Sequence, residues 1–344
     1  MSIAAPSPPD PLRIAVIGTG VSGLSAAWLL SRRHEVTVYE AEPRVGGHCH
    51  TVDAGVAVDT GFIVYNEATY PNLTALFRHL EVPTRASDMS FAVSIDDGRL
   101  EYSGTGPGGL FAQRRNLASP RFWSMLREIV RFYRRAPRDA AALGPMSLEE
   151  YLRLEGYGRA FREDHLYPMA AAIWSTPAAD IGAYPAAAFI RFCENHGLLR
   201  LRRRPVWRTV TGGSRTYVER LARGFADRIL TGRPVRRVLR QAGGIEVVDG
   251  AGEIRRFDRV VLATHADQAL ALLGRPTAQE RLVLGAFAYR PNRAVLHSDP
   301  RLMPRRRSVW SSWNYLSQGG QGDRRLSVTY WMNRLQRLDV ARPW

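Results

Sequence analysis

The first residues whose types and spacing could do chemistry are the glycines of Gly18-Thr19-Gly20-Val21-Ser22-Gly23. They sit between an apolar run, Leu12 to Ile17, and a helical pattern, Val21 to Ser31. In a strand–turn–helix unit each glycine of this spacing has its own task. Gly18 permits the tight turn, Gly20 lets a pyrophosphate approach bare backbone, and Gly23 lets the helix pack closely on the strand. The N–H groups that open the helix, around Val21 and Ser22, and the helix dipole attract phosphate oxygens. A second strand pattern, Glu35 to Tyr39, runs into Glu40, about twenty residues after Gly18, where a carboxylate takes the ribose hydroxyls of a dinucleotide.

The next segment, Glu40-Ala41-x-x-Arg44-Val45-Gly46-Gly47-His48, resembles a stretch shared by the FAD-dependent amine oxidases, protoporphyrinogen oxidases and carotenoid (phytoene) desaturases. An acidic residue at position 40 also repels the 2′-phosphate of NADP. The resemblance implies FAD, with Ala41, Arg44, Gly46, Gly47 and His48 extending the site from the pyrophosphate toward the flavin. Further strings resemble a bacterial group of amine-oxidase-like proteins. They include Val58 to Asn66, Ser87 to Phe91, Ala172-Ile173-Trp174-Ser175, Asn195 to Leu199, Val210 to Ser214 and Val261 to Asp267. By that resemblance Asp59, Thr60, Gly61 and Phe62 lie along the isoalloxazine ring. Val235 offers backbone groups to adenine, and Ala263 and Thr264 end a strand that returns to the cofactor.

The activity implied is flavin hydride chemistry on a hydrophobic small molecule. The group's association with enzymes like cyclopropane-fatty-acid synthase hints at a lipid or fatty-acyl chain undergoing desaturation or dehydrogenation. A flavin accepts the hydride at its own ring, so the protein supplies orientation and electrostatics. Candidates for that work are Tyr65, Trp174 and His196, with His165 beside them. Trp174 reads as core or pocket wall before catalyst, and the plainer reading of His196 is a hydrogen-bonded structural histidine. Two departures from the resemblance matter. The chain contains no lysine, whereas many amine oxidases place one near the flavin. A Gly-rich C-terminal motif that closes over the cofactor in relatives is not found before Trp344, so the expectation is either a truncated sequence or an incomplete cofactor site. Two alternatives stay open: an NAD-dependent dehydrogenase using the first motif, and a non-catalytic FAD-binding protein at a membrane surface.

The elements that must position these residues form an α/β protein. Its Rossmann-type FAD-binding domain combines a parallel sheet with a β-meander, Val235–Arg240, Gly244–Asp249 and Glu253–Phe257, and Arg259–Ala263 is the strand that returns to the sheet. The expected division is a discontinuous FAD domain over 11–75 and 205–275, with a largely helical substrate or cap domain over 76–204 and 276–344. Helical patterns fall at Leu110–Leu117, Phe122–Arg135, Leu148–Leu154 and Pro185–Asn195, with a β pair at Ser90–Ile95 and Leu100–Tyr102.

Composition narrows the surroundings. The 48 basic residues are all arginine against 32 acidic ones, a net charge of +16. No nucleic-acid-binding module accompanies that charge, so nucleic acid is not expected as a partner. Arginine clusters, Arg200 to Arg208 and Arg305 to Arg307, fit a solvated face or peripheral contact with anionic lipid. The two cysteines, Cys49 and Cys193, have no metal-ligand spacing, and His48 with His50 alone makes a poor site, so no metal is expected. No apolar stretch is long enough to span a bilayer, and Met1 to Pro11 reads as a frayed tail lacking the pattern of a secretory signal. The expected location is cytoplasmic, with peripheral membrane contact.

Overall fold

The computed structural model describes residues 10–174, 178–289, 291–318 and 325–344, so Ser175 and most of the expected N-terminal tail lie outside the described residues. The apolar run after Leu12 forms the strand Arg13–Ile17, in which Ile14, Ala15, Val16 and Ile17 are all buried. Continuous burial is what a strand covered on both faces of a parallel sheet requires. Its neighbours are Glu35–Tyr39 on one side and Arg259–Leu262 on the other, both parallel, and Ile229–Leu230 extends the sheet beyond Glu35–Tyr39. The helix Val21–Leu30 connects the first two strands. Val235–Gln241, Gly244–Asp249 and Ile254–Phe257 form an antiparallel three-stranded meander, packed through Val235, Val238, Val247 and Phe257 against Ala15, Ile17 and Tyr39.

These elements belong to one of two compact units. It takes the described residues up to Phe62, then Phe77–Val82 and Gly212–Arg293. The loose stretch after Ala41 holds a hairpin, Thr51–Asp53 with Ala57–Asp59, whose strands of three residues are too short for periodicity to reveal.

The other unit takes Ile63–Leu76, Pro83–Thr211 and Ala294–Trp344. Its longest helix, Pro120–Asp139, starts where the Ser119 hydroxyl accepts from the Phe122 N–H and proline occupies the first turn. Phe122, Met125, Ile129, Phe132, Tyr133 and Ala136 recur at helical spacing and are buried. They pack with Tyr151, Tyr157, Phe161, Phe189 and Ile190 into one core. Leu148–Leu154 begins with a capping box between Ser147 and Glu150. The helical pattern at Leu110–Leu117 does not yield one helix. It splits into Pro107–Leu110 and a 3₁₀ segment, Arg114–Ala118, because the Gln113 side chain between them bonds the Glu101 N–H and the Gly98 carbonyl. The unit also contains a four-stranded mixed sheet. Phe91–Ile95 pairs antiparallel with Leu100–Ser103 and parallel with Trp313–Gln318, which pairs in turn with Arg325–Tyr330.

Candidate functional site

In the first unit the glycine turn is built by close backbone approach. A Cβ on Gly18 would lie 2.6 Å from the Ala263 carbonyl oxygen, and its φ of +101° is open only to glycine. One on Gly23 would lie 2.0 Å from the Gly18 carbonyl oxygen. At Gly20, by contrast, a Cβ would meet nothing within 4 Å. The first and third glycines thus close the turn, and the second faces open space at the start of a helix.

Thr19, fully buried between the first two glycines, is the hub of the turn. Its N–H and hydroxyl both donate to Glu40 Oε2, and its carbonyl and hydroxyl oxygens accept from the Gly46 N–H. Glu40 Oε1 accepts from the Glu42 N–H. A carboxylate offers about four acceptor positions, so the three bonds made here leave room for one more on Oε1. The Glu40 N–H bonds Leu230 and its carbonyl accepts from Arg233, which fixes the carboxylate at the end of its strand. Gly47, at φ +55°, comes within 3.1 Å of the Gly20 Cα as measured from an added Cβ, so the second glycine pair folds back onto the first turn.

The other expected cofactor residues lie in the same unit. Ala263 and Thr264 abut Gly18. Val21 and Ser22 open the helix. Ala41 and Arg44 are exposed on the loop leaving Glu40. His48 is exposed, its ring 5.5 Å from that of His265, which stacks on Tyr289 at 4.3 Å. Thr60 and Phe62 run beside His50 and His48 through backbone bonds, and Gly61 packs so tightly that a Cβ would sit 2.0 Å from the His48 carbonyl oxygen. Gly61 therefore has a packing reason of its own. Val235 is buried in the meander core.

Asp59, expected beside the flavin, is instead engaged in a clamp with Thr51 and Ser214 that sequence reasoning missed. Asp59, 2% exposed, accepts from the Thr51 hydroxyl at 2.6 Å and from the N–H and hydroxyl of Ser214, each at 2.8 Å. Burial raises its pKa, and these hydrogen bonds work against that shift. The clamp ties the Gly212-Gly213-Ser214 turn to the hairpin. Cys49 is buried against the Tyr217 hydroxyl at 2.7 Å, and burial raises both pKa values. Thr19 had a signal in sequence, a hydroxyl inside the glycine motif. The pairing of Asp59 with Ser214 had none.

The residues proposed for substrate chemistry belong to the second unit. Trp174 packs on Phe192 at 4.7 Å, Phe192 on His196 at 4.3 Å, and His196 stacks on Trp207. Tyr70 links His196 to the buried Tyr65. Burial lowers the His196 pKa, which favours the neutral ring. His165 is elsewhere, inside the core, with Tyr102 and Tyr133 hydroxyls at its two ring nitrogens, and burial lowers its pKa to about 4. Next to Tyr65, fully buried Asn66 carries an amide nitrogen with no hydrogen-bond partner among the described residues.

A parallel sheet, a glycine turn opening a helix and an acidic residue ending the second strand define a dinucleotide-binding fold of the flavoprotein type. Comparison with known proteins agrees. The sequence model for flavin-containing amine oxidoreductases matches residues 21–295. The chain belongs to that family, whose cofactor is FAD. It is 29% identical over 258 residues to a Mycobacterium tuberculosis protein named as a flavin-containing monoamine oxidase, AofH, covering 73% of this chain and 56% of AofH. Among solved structures it resembles putrescine oxidase, with TM-score 0.60 and 20% identity over 80% of this chain and 63% of that one. It also resembles a fatty acid isomerase from P. acnes that produces CLA, with TM-score 0.55 and 18% identity over 81% of this chain and 64% of that one. The chain thus spans less than two thirds of the length of each of these relatives.

Proposed function

We propose that this chain is an FAD-dependent oxidoreductase acting on a hydrophobic small molecule, with a lipid or fatty-acyl chain as the substrate class. The observation that carries the proposal is the open space at Gly20, bounded by the closed turn, the folded-back Gly47 and the buried Glu40. In this reading Gly18, Gly20, Val21, Ser22 and Gly23 take the pyrophosphate. Glu40 uses its remaining acceptor position for a ribose hydroxyl. Arg44, Gly46, Gly47, His48, Thr60, Gly61 and Phe62 continue the site, Ala263 and Thr264 border it, and Val235 serves the adenine. Bound FAD would supply a hydride acceptor.

The chain's own residues orient the substrate. Trp174, Phe192, His196 and Trp207 provide aromatic surface. The acyl reading rests on the absence of lysine from this sequence, and the fold, found in a fatty acid isomerase as well as in amine oxidases, admits either substrate class. Such substrates are met at bilayers, so peripheral membrane contact belongs to the same proposal.

The test begins with an absorption spectrum of the purified chain after FAD addition and desalting, followed by anaerobic titration with fatty acids and amines. Retained flavin that is bleached by an acyl substrate supports the proposal. A chain that holds no flavin, or flavin reduced by amines alone, defeats it.

A further inference from the structure

The segment between His196 and Trp207 leaves the second unit as a loop rooted at its base. His196 and Trp207 stack with an interplanar angle of 15°, Gly197 lies so close to Pro205 that a Cβ would sit 2.4 Å from its ring, and Leu199 is buried. Beyond that base the loop is exposed, and it carries Arg200, Arg202, Arg203 and Arg204 without a single acidic residue from Gly197 to Trp207. None of the four has an ion-pair partner among the described residues. Elsewhere, arginines such as Arg121, Arg135, Arg233, Arg240 and Arg306 are paired with carboxylates. Arg204 instead donates to the Arg200 carbonyl and braces the loop. Two large apolar side chains stand among the charges, Leu201 at 54% and Val206 at 64% exposed.

Unpaired arginines alone suit any polyanion. Exposed aliphatic side chains between them narrow the partner, because a nucleic-acid backbone offers leucine and valine nothing, while a bilayer offers acyl chains directly beneath its phosphates. No helix among the described residues is long and apolar enough to cross a membrane. We propose that the Arg200–Val206 loop is a docking surface for an anionic lipid bilayer, with the arginines at the phosphate level and Leu201 and Val206 entering the acyl boundary. The inference locates the membrane contact of the functional reading above and rests on that reading only for its purpose.

The experiment is co-sedimentation of the full chain with vesicles of phosphatidylcholine containing one third phosphatidylglycerol. Pure phosphatidylcholine vesicles and a short DNA duplex serve as comparisons. Each arginine near such a surface is worth about fivefold in partitioning, so Arg202→Glu with Arg203→Glu should weaken binding about 25-fold or more. Leu201→Ser with Val206→Ser, which leaves the charge unchanged, should also weaken binding to the anionic vesicles, and the wild-type chain should ignore pure phosphatidylcholine. Should the charge reversal disturb folding, Arg200→Gln with Arg202→Gln repeats the measurement at lower charge contrast. Vesicle binding indifferent to these changes overturns the proposal. So does a pattern in which the arginines matter only for DNA, or the aliphatic pair does not matter at all. The assay reads no flavin, so its failure leaves the oxidoreductase reading standing, and loss of flavin binding leaves the loop standing.

Discussion

The glycine turn of the first unit and the aromatic cluster of the second are built in opposite ways. The turn is made of backbone: Gly18, Gly23 and Gly61 each hold the space of a missing Cβ against a carbonyl oxygen, and Thr19 spends its polar groups on Glu40 and Gly46. The cluster is made of side chains, Trp174, Phe192, His196 and Trp207, held ring against ring. A backbone site tolerates almost no change at the closing glycines, because a carbonyl cannot move aside as a side chain can. A ring cluster repacks when one member is replaced by another of similar shape. On the proposed reading, the difference suits a unit that holds one invariant cofactor and another that fits a particular substrate.

The severest way to break this contrast is Gly23→Val. Its side chain has no room beside the Gly18 carbonyl, so flavin retention should disappear and stability should fall by about 3 kcal/mol in urea unfolding. A stable variant that still binds FAD would mean the turn is plastic. Nearly as large is the expected acid sensitivity of the second unit. His165 takes a proton near 6.5 when unfolded but only near 4 when folded, so the neutral ring is the one the fold prefers. Stability should be full above that window and decline by about 3 kcal/mol as pH falls through it. His165→Gln should flatten the decline, and parallel wild-type and variant profiles would reject the assignment.

Gly20→Ala sharpens the contrast most. Its φ of −58° and ψ of 171° suit any residue, and the methyl meets no protein atom, so thermal stability should be unchanged. Flavin affinity should nevertheless fall about tenfold, since the methyl occupies the approach of the pyrophosphate. A drop in melting temperature with unaltered affinity would reverse the roles of the glycines. Smallest of all, His196→Phe should keep its stack on Trp207, cost under about 1 kcal/mol and leave flavin retention alone. A large loss would show that the ring's polarity matters as well as its shape.

The same contrast explains what could be read before the structure. Gly18, Gly20, Gly23 and Glu40 are legible because their tasks follow from local backbone geometry at fixed spacing, and long strands and helices such as Glu35–Tyr39, Gly244–Asp249 and Leu148–Leu154 announce themselves by periodicity. The Asp59–Ser214 clamp joins residues far apart in the chain, and nothing in either neighbourhood points to the other. Strands of two to four residues, such as Ile229–Leu230 and Trp207–Val210, are too short to show alternation and are fixed by their partners. The split of Leu110–Leu117 was hidden for the same reason, since Gln113 is held by Gly98 and Glu101 on the neighbouring hairpin.

The pairing of Arg13–Ile17 with Arg259–Leu262 sets a timetable for synthesis. The first strand leaves the ribosome roughly 250 residues before its partner, a wait of about 12 to 50 s at ordinary elongation rates. The other sheet waits similarly, since Phe91–Ile95 pairs with Trp313–Gln318. Both hydrophobic strands therefore stay open-edged through most of translation. Fast elongation or a chaperone on the nascent chain should raise the soluble yield more than any single stabilising substitution.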